Sequence, residues 1–347
     1  MTAHPYQTIP RYSRWKQGVG DGVDIRQLIA GLNFRGLNQS DRVFSAGSCF
    51  ASNIVPYLDR SGITYIRTER RPAALVAFPD GLGYESFSAR FGNIYTSRQF
   101  LQLLLRCTGQ WAPEEDRWRT SAGLVDPFRP GLKYLPASDE EFDAIAKSHL
   151  AATRAAIEAA TVVIFTLGLT EAWHGNDGAV FPVCPGTVAG EFDASRHHFT
   201  NLSVPDVATD LGQCRAEISS INPMARFVVT VSPVPLTATA TGKHVAVASL
   251  ESKSILRAAV AEAQQRHRDI EYFPSYEILM GWQTPPGCWD QDMRTVTKIG
   301  LDYVMLALLP DETSSGMERP AAEPDGSALS KLVTQVECEE AQYEKFA

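Results

Sequence analysis

Basic residues are outnumbered in this 347-residue chain, and long apolar runs are missing altogether. It carries 32 Lys and Arg against 40 Asp and Glu, a formal net charge of −8, so there is no basic excess to bind a nucleic-acid backbone. No apolar run approaches the roughly 20 residues that a membrane-spanning helix needs. The first residues also lack the basic and apolar segments of a secretory signal. We therefore expect a cytoplasmic protein that neither spans a membrane nor binds nucleic acid.

Paired cysteines are absent as well. The six cysteines are scattered, and none forms a C-x-x-C pair; they lie at positions 49, 107, 184, 214, 288 and 338. This spacing argues against a zinc ribbon and against a disulfide scaffold, and it is typical of a reducing compartment. We expect no metal and no other cofactor.

The negative charge is concentrated at the C-terminal end. Residues 310–347 contain nine acidic and three basic residues, so they carry −6 of the net −8. Residues 310–326 are rich in Pro, Ser and Glu, which is typical of a linker, and residues 328–343 could form a short helix. The sequence predicts one domain over residues 1–309, followed by an acidic linker and a short tail over 310–347.

Five short apolar runs alternate with helical patterns. Strands are predicted near positions 43, 64, 162, 227 and 270, and the clearest helices are 97–107, 140–160, 204–221, 250–266 and 296–309. Continuous apolar runs are typical of strands buried on both faces. Their alternation with helices predicts an α/β fold with a parallel sheet covered on both sides. Residues 68–140, rich in Pro, Gly and aromatics, predict a long loop-rich insertion after the second strand.

In such sheets, ligands bind beyond the carboxyl ends of the strands. The segments that follow four of the strands are small, polar or turn-forming: 47–49, 167–171, 232–235 and 274–277. The first places Ser48 and Cys49 on a sharp strand-to-helix turn, where backbone N–H groups can bind an oxyanion. The positive end of a helix favours the thiolate, so Cys49 gains more than Ser48. The structural alternative is a buried cysteine packed under a helix.

The turn itself, Gly47-Ser48-Cys49-Phe50-Ala51, resembles the motif that names the GSCFA domain family, grouped with the SGNH/GDSL hydrolases. The likeness extends from residue 4 to about 309, and its further blocks are 88–96, 165–173, 230–235 and 272–277. It implies a three-layer α/β/α sandwich, SGNH-hydrolase or flavodoxin-like, with a five-stranded parallel sheet. The strand order that we expect is 2-1-3-4-5.

The same resemblance implies where the nucleophile and the oxyanion donors lie. The Gly-x-Ser turn of the superfamily falls on the GSC turn and puts Cys49 at the nucleophile position. Its oxyanion glycine falls on Gly92, with Asn93 beside it. Its Gly-x-Asn-Asp block falls on residues that replace the Asn by Thr170, whose hydroxyl would donate, and the Asp by Glu171.

The final block of the superfamily, Asp-x-x-His, begins here at Asp292 and ends at Thr295, where the pattern has histidine. This departure removes the base of an ordinary Ser-His-Asp triad. Among the seven histidines, His244 is the best-placed substitute, because it directly follows the fourth strand; the others lie in a terminal segment, on helices or in polar turns and loops. Arg294 is the other contender, since a guanidinium near Cys49 would stabilise a thiolate or an oxyanion without acting as a base.

Two functions of different class remain open. The first is an esterase, thioesterase, amidase or acyltransferase acting on a small-molecule or glycan acyl substrate. Cys49 or Ser48 would attack the carbonyl, His244 would shuttle the proton, and Glu171 or Asp292 would orient it or bind substrate. The second is a binding or assembly protein that has lost hydrolysis. The missing histidine supports the second reading, whereas the polar blocks at every strand end favour the enzyme. The acyl group, the acceptor and the oligomeric state stay open.

Overall fold

The computed structural model describes residues 4–71, 83–84 and 86–310 of the chain. Ten strands and eight α-helices lie in these ranges. In chain order, the strands β1 to β10 are Arg42–Gly47, Thr64–Tyr65, Trp118–Thr120, Gly123–Val125, Val162–Leu167, Glu171–His174, Val180–Phe181, His198–Asn201, Arg226–Val231 and Ile270–Phe273. The helices α1 to α8 are Cys49–Ser52, Val55–Ser61, Ser97–Thr108, Asp139–Ala159, Val204–Ile221, Val245–Arg266, Ser275–Met280 and Lys298–Leu308.

Five of these strands form the central sheet in the order β10-β9-β5-β1-β2. Every neighbouring pair is parallel, which confirms the predicted parallel sheet and the order 2-1-3-4-5. Gly47 at the end of β1 pairs with Thr166 of β5, and Leu167 at the end of β5 pairs with Val231 of β9. The carboxyl ends of these three strands therefore lie side by side at one edge.

The central strands are buried on both faces, so each contributes to two cores. Phe44 and Phe165 pack on one side with apolar residues of α3, α4, α5 and α6. Val43 and Ile164 point to the other side, where α1, α2, α7 and α8 contribute most of the core. Alternate residues of one continuous apolar run thus serve opposite layers. The three-layer α/β/α sandwich is confirmed.

Two small antiparallel sheets were not predicted. β3 pairs with β4, and β6 pairs with both β7 and β8. Glu171 and His198, expected in a strand-end segment and a loop, therefore lie in strands, and Glu171 pairs with Asn201. These strands have two to four residues, which is too short for a local pattern to reveal their distant partners.

The loop-rich insertion after β2 is confirmed. The described residues between β2 and α3 form no helix or strand, and those between α3 and α4 hold only the β3–β4 pair. The predicted helix at 250–266 starts five residues earlier, at Val245, because His244 caps it. Among the residues that the structure describes, no helix is both long and apolar enough to span a membrane. Residues 311–347 lie outside the described ranges, so the boundary near 309 and the helix at 328–343 stay predictions.

A buried carboxylate on β10 ties the sheet to the segment before β1. The Glu271 side chain is 2% exposed. It accepts hydrogen bonds from the backbone N–H of Arg35 at 2.9 Å, from Arg226 Nε at 2.9 Å and from Arg226 Nη2 at 2.8 Å. Burial alone would raise the pKa of Glu271, but the hydrogen bonds from Arg226 and Arg35 outweigh it and hold that pKa below the ordinary value. The ionised form is therefore favoured by folding.

Glu271→Ala is expected to lower the free energy of unfolding at neutral pH by about 3 kcal/mol, because the largely buried Arg226 guanidinium loses the carboxylate that accepts two of its hydrogen bonds. Since the folded pKa lies below the ordinary 4.5, the contribution of Glu271 is complete above that value and is lost as the pH falls through the folded pKa. Urea unfolding at neutral and acid pH measures both. Glu158→Ala, which breaks the exposed pair with Arg154, should cost less than about 1 kcal/mol; equal losses in the two variants would contradict this role.

Candidate active site

The GSC turn starts at Gly47, the last residue of β1, where the backbone and the surrounding space leave no room for a side chain. Gly47 has a φ of +149°, and a Cβ added there would lie 2.6 Å from the carbonyl oxygen of Thr166 and 2.7 Å from its Cβ. Only glycine fits both the backbone conformation and the space. Ser48 follows in extended conformation as the N-cap of α1, and the Ala51 N–H donates to its carbonyl oxygen at 2.8 Å. The chain therefore leaves the sheet sharply and carries Cys49 at its edge.

A second glycine closes the same region from β5. The N–H of Gly168 donates to the carbonyl oxygen of Tyr95 at 2.8 Å. A Cβ added at Gly168 would lie 3.1 Å from that oxygen and 3.3 Å from the Cβ of Ser48. The Ile94 N–H also donates to the carbonyl oxygen of Gly47 at 2.8 Å. Two segments that are distant in sequence, 94–95 and the end of β5, thus lie against the turn.

Together with the loop after β9, these segments form a small open pocket of about 10 Å³, lined by Ser48, Cys49, Tyr95, Gly168, Leu169, Ser232, Val234, Pro235 and Leu236. Cys49 is half-buried, whereas the hydroxyl oxygen of Ser48 is buried and has no hydrogen-bond partner in the structure. Of the two candidate nucleophiles, the thiol is thus the more accessible. Leu169, Val234 and Leu236 make much of the wall apolar.

The structure brings Cys49 and Ser48 to this pocket, but not the predicted oxyanion side chains. Tyr95 lines it, while Gly92 and Asn93 do not. Asn93 lines a separate cavity of about 30 Å³, and its Oδ1 is buried without a hydrogen-bond partner. Thr170 is fully buried, and its hydroxyl donates to Asn201 Oδ1 at 2.6 Å. The oxyanion roles of Gly92, Asn93 and Thr170 stay predictions, and Thr170 could act only if that hydrogen bond broke.

Glu171, the first residue of β6, anchors the loop after β9. Its carboxylate accepts hydrogen bonds from Thr239 Oγ1 at 2.6 Å and from the Ala240 N–H at 2.9 Å. It is not among the lining residues of the pocket. These contacts tie β6 to the loop after β9, so the geometry gives Glu171 a structural task beside its predicted role.

His244 is exposed and caps α6. Its Nδ1 accepts a hydrogen bond from the Ala246 N–H at 3.2 Å, which in the neutral ring leaves the proton on Nε2. The next residue, Val245, packs against Tyr95, Leu169 and Leu236, so His244 lies one residue from the pocket wall. Neither it nor any other of the seven histidines, all within the described residues, lines the pocket.

The Asp292 carboxylate is hydrogen-bonded within its own block, residues 292–295. Its Oδ1 accepts from the N–H groups of Arg294 and Thr295, both at 2.8 Å, and its Oδ2 accepts from Thr295 Oγ1 at 2.6 Å. Burial would raise the pKa of Asp292, but the hydrogen bonds from Thr295 and Arg294 outweigh it and lower that pKa. None of the three residues lines the pocket. Thr295 thus donates its hydrogen bonds to the carboxylate that would pair with a histidine at this position.

Several lining residues were not assigned by the sequence. The loop after β9 was recognised as a strand-end segment, so Ser232, Val234 and Pro235 had a signal, although none was given a role. Tyr95 lies in the family-like block 88–96 but was given no role either. Within the described ranges, no group of three or more His, Cys, Asp or Glu side chains is arranged to hold a metal ion.

The comparisons with known proteins bear on this site. The model of the GSCFA family matches residues 42–307, from the first residue of β1 into α8. The chain belongs to the GSCFA family. No curated protein matches it. A solved structure from Streptococcus pneumonia, whose name refers to platelet activating factor, is similar at 9% identity over 82% of this chain and 89% of that chain. Its TM-score of 0.34 is too low to support any argument, and the grouping with SGNH hydrolases stays a prediction.

Gly47→Ala should destabilise the GSCFA turn by about 2 kcal/mol or more, because it adds both backbone strain and a clash with Thr166. Gly36→Ala is the matched control, since Gly36 also has a positive φ (72°) but a Cβ there meets nothing within 4 Å. Strain alone should cost about 1 kcal/mol. Thermal or urea unfolding of both variants measures the difference. Equal destabilisation would mean that the contact with Thr166 is not limiting.

Proposed function

We propose that this member of the GSCFA family is an acyl-transfer enzyme: an esterase, a thioesterase, or an O-acyltransferase or deacylase of glycans or other polar acyl substrates. The observation that carries the proposal is the half-buried Cys49 thiol on a sharp glycine turn, opening into a pocket at the carboxyl edge of the sheet. A nucleophile presented in this way is accessible to a carbonyl group while backbone N–H groups lie close by.

In the proposed reaction, the Cys49 thiolate attacks the carbonyl carbon and the carbonyl electron pair moves to the oxygen. Backbone N–H groups at the turn stabilise that oxyanion. Collapse of the tetrahedral intermediate expels the alcohol or thiol, which takes up a proton, and leaves an acyl thioester on Cys49. Water or an acceptor hydroxyl then attacks the thioester and restores the thiol. Ser48 is the alternative nucleophile, and the burial of its hydroxyl favours Cys49.

The pocket also supports a preference for short acyl groups. Its volume of about 10 Å³ is near the roughly 10–15 Å³ that a single water molecule needs, so a long acyl chain has no room in it. Leu169, Val234 and Leu236 would contact an apolar methyl group rather than a polar one. A polar leaving group or acceptor, such as a sugar, would then lie outside the pocket. An acetyl ester is the simplest substrate of this kind.

Cys49 is expected to be the fastest of the thiols to react with iodoacetamide at neutral pH, as read by competitive labelling and peptide mapping. Burial raises the pKa of Cys107 to about 12, and it raises the pKa of Cys184 and of Cys288 to about 11, so these thiols stay protonated. Cys49→Ala should abolish fast labelling and the hydrolysis of p-nitrophenyl acetate. Cys107→Ser is the control and should change neither.

Two other results would redirect this assignment. If a fluorophosphonate labels Ser48 and Cys49→Ala retains activity, the nucleophile is the serine. If Cys107 or Cys184 is labelled as fast as Cys49, the thiol at the turn is not activated and the proposal fails.

The second candidate function is a binding protein that holds an acylated molecule without cleaving it. The observation that favours it is the lack of any histidine among the residues lining the pocket, together with the closed turn at Asp292 and Thr295. An ordinary triad needs an imidazole within hydrogen-bond reach of the nucleophile. Binding would need only the apolar pocket and the polar edge around it.

His244→Asn separates the two roles open to His244. Asparagine is a good N-cap and can still accept the Ala246 N–H, but it cannot take up a proton. If His244 is the base, turnover should fall by about a hundredfold or more, with an unchanged melting temperature. His198→Asn, at an exposed histidine of β8, is the control. Full activity of His244→Asn would exclude His244 as the base, and acyl-ester binding without turnover by the unmodified protein would favour the binding function.

A further inference from the structure

One face of α6 carries three buried polar side chains, Ser249, Ser252 and Lys253. Their spacing of three and four residues places them side by side on the helix. This face is turned toward the edge of the sheet where the GSC turn lies. The sequence analysis assigned none of them a role.

Each of the three contacts the backbone of a loop that builds the pocket. Ser249 Oγ accepts from the Leu236 N–H at 3.1 Å, and Ser252 Oγ accepts from the Thr170 N–H at 3.0 Å. Lys253 Nζ donates to the carbonyl oxygen of Gly168. Because Leu236 and Gly168 line the pocket, one helix face fixes the loops after β5 and after β9 relative to each other.

The lysine differs from the two serines because it brings a positive charge into the interior. Lys253 is 4% exposed, and lysine is among the residues least often buried to this extent. A neutral amide could donate to the Gly168 carbonyl without the desolvation of an ammonium group. Gly168 in turn packs against Ser48, whose Cβ lies 3.3 Å from the position of an added Cβ. The ammonium thus contacts the residue that packs against the GSC turn.

We infer that Lys253 is a positioning residue of the acyl-transfer site, whose ammonium holds Gly168 against the turn and stabilises negative charge on the Cys49 sulfur and on the oxyanion. This inference rests on the proposed function. The Lys253 ammonium would take over part of the role of the imidazole in an ordinary triad, since a nearby cation favours the thiolate over the thiol.

The test compares two variants of the full chain that keep a donor for the Gly168 carbonyl. Lys253→Gln keeps an N–H group but no charge, and Lys253→Arg keeps both. The readout is the second-order rate constant of Cys49 alkylation by iodoacetamide at neutral pH, with the melting temperature alongside. Lys253→Gln should slow alkylation by about tenfold, and Lys253→Arg should restore most of the rate.

Two further variants separate charge from structure. Ser254→Ala changes the exposed neighbour of Lys253 on α6 without changing the charge of the helix, and Lys298→Met removes an ammonium on α8 that pairs with Asp302. Both should leave the alkylation rate within about twofold of the unmodified protein. If Lys253→Gln is folded and alkylated at the unmodified rate, or if Lys253→Arg is as slow as Lys253→Gln, the charge is not used and the inference falls. If Cys49 of the unmodified protein is unreactive, it is the proposed function that fails.

Discussion

The close contact between the end of β1 and the end of β5 is the constraint on which the candidate site depends. The carbonyl oxygen and Cβ of Thr166 occupy the space where a side chain on Gly47 would lie. Because the two strands pair at this point, the turn that follows must leave the sheet at once. The next contacts build on it: Ile94 donates to Gly47, and Gly168 packs on Ser48. A side chain at position 47 would separate the strands and with them the walls of the pocket.

The residues around the pocket limit the chemistry that it can supply. It presents a thiol among mostly apolar walls, and the groups that an ordinary hydrolase would bring to it are engaged elsewhere. Asp292 binds Thr295, and His244 caps α6. The buried Lys253 donates to the carbonyl oxygen of Gly168, which lines the pocket. An acyl-transfer site in this chain would therefore depend on backbone N–H groups and a fixed positive charge more than on an imidazole.

The fold was predictable from the sequence because burial on both faces leaves a strong local pattern. The run Val162–Leu167 is apolar throughout since its alternate residues enter two different cores, and the other central strands share this property. The helix Val204–Ile221 was predicted to the residue, and in the structure Ser203 caps its start. The position of Cys49 was predictable too, because a strand, a glycine turn and a helix start follow one another within a few residues.

The sequence by itself therefore determined the parallel sheet and the turn that carries Ser48 and Cys49, and the strand order followed from the resemblance to the GSCFA family. Only the tertiary structure decided which neighbours meet that turn. It placed Tyr95 and Leu236 on the pocket, turned Asn93 toward another cavity and engaged the hydroxyl of Thr170 with Asn201. The physical reason is that apolar periodicity records whether a residue is buried, whereas the partner of a polar side chain is set by segments distant in the chain.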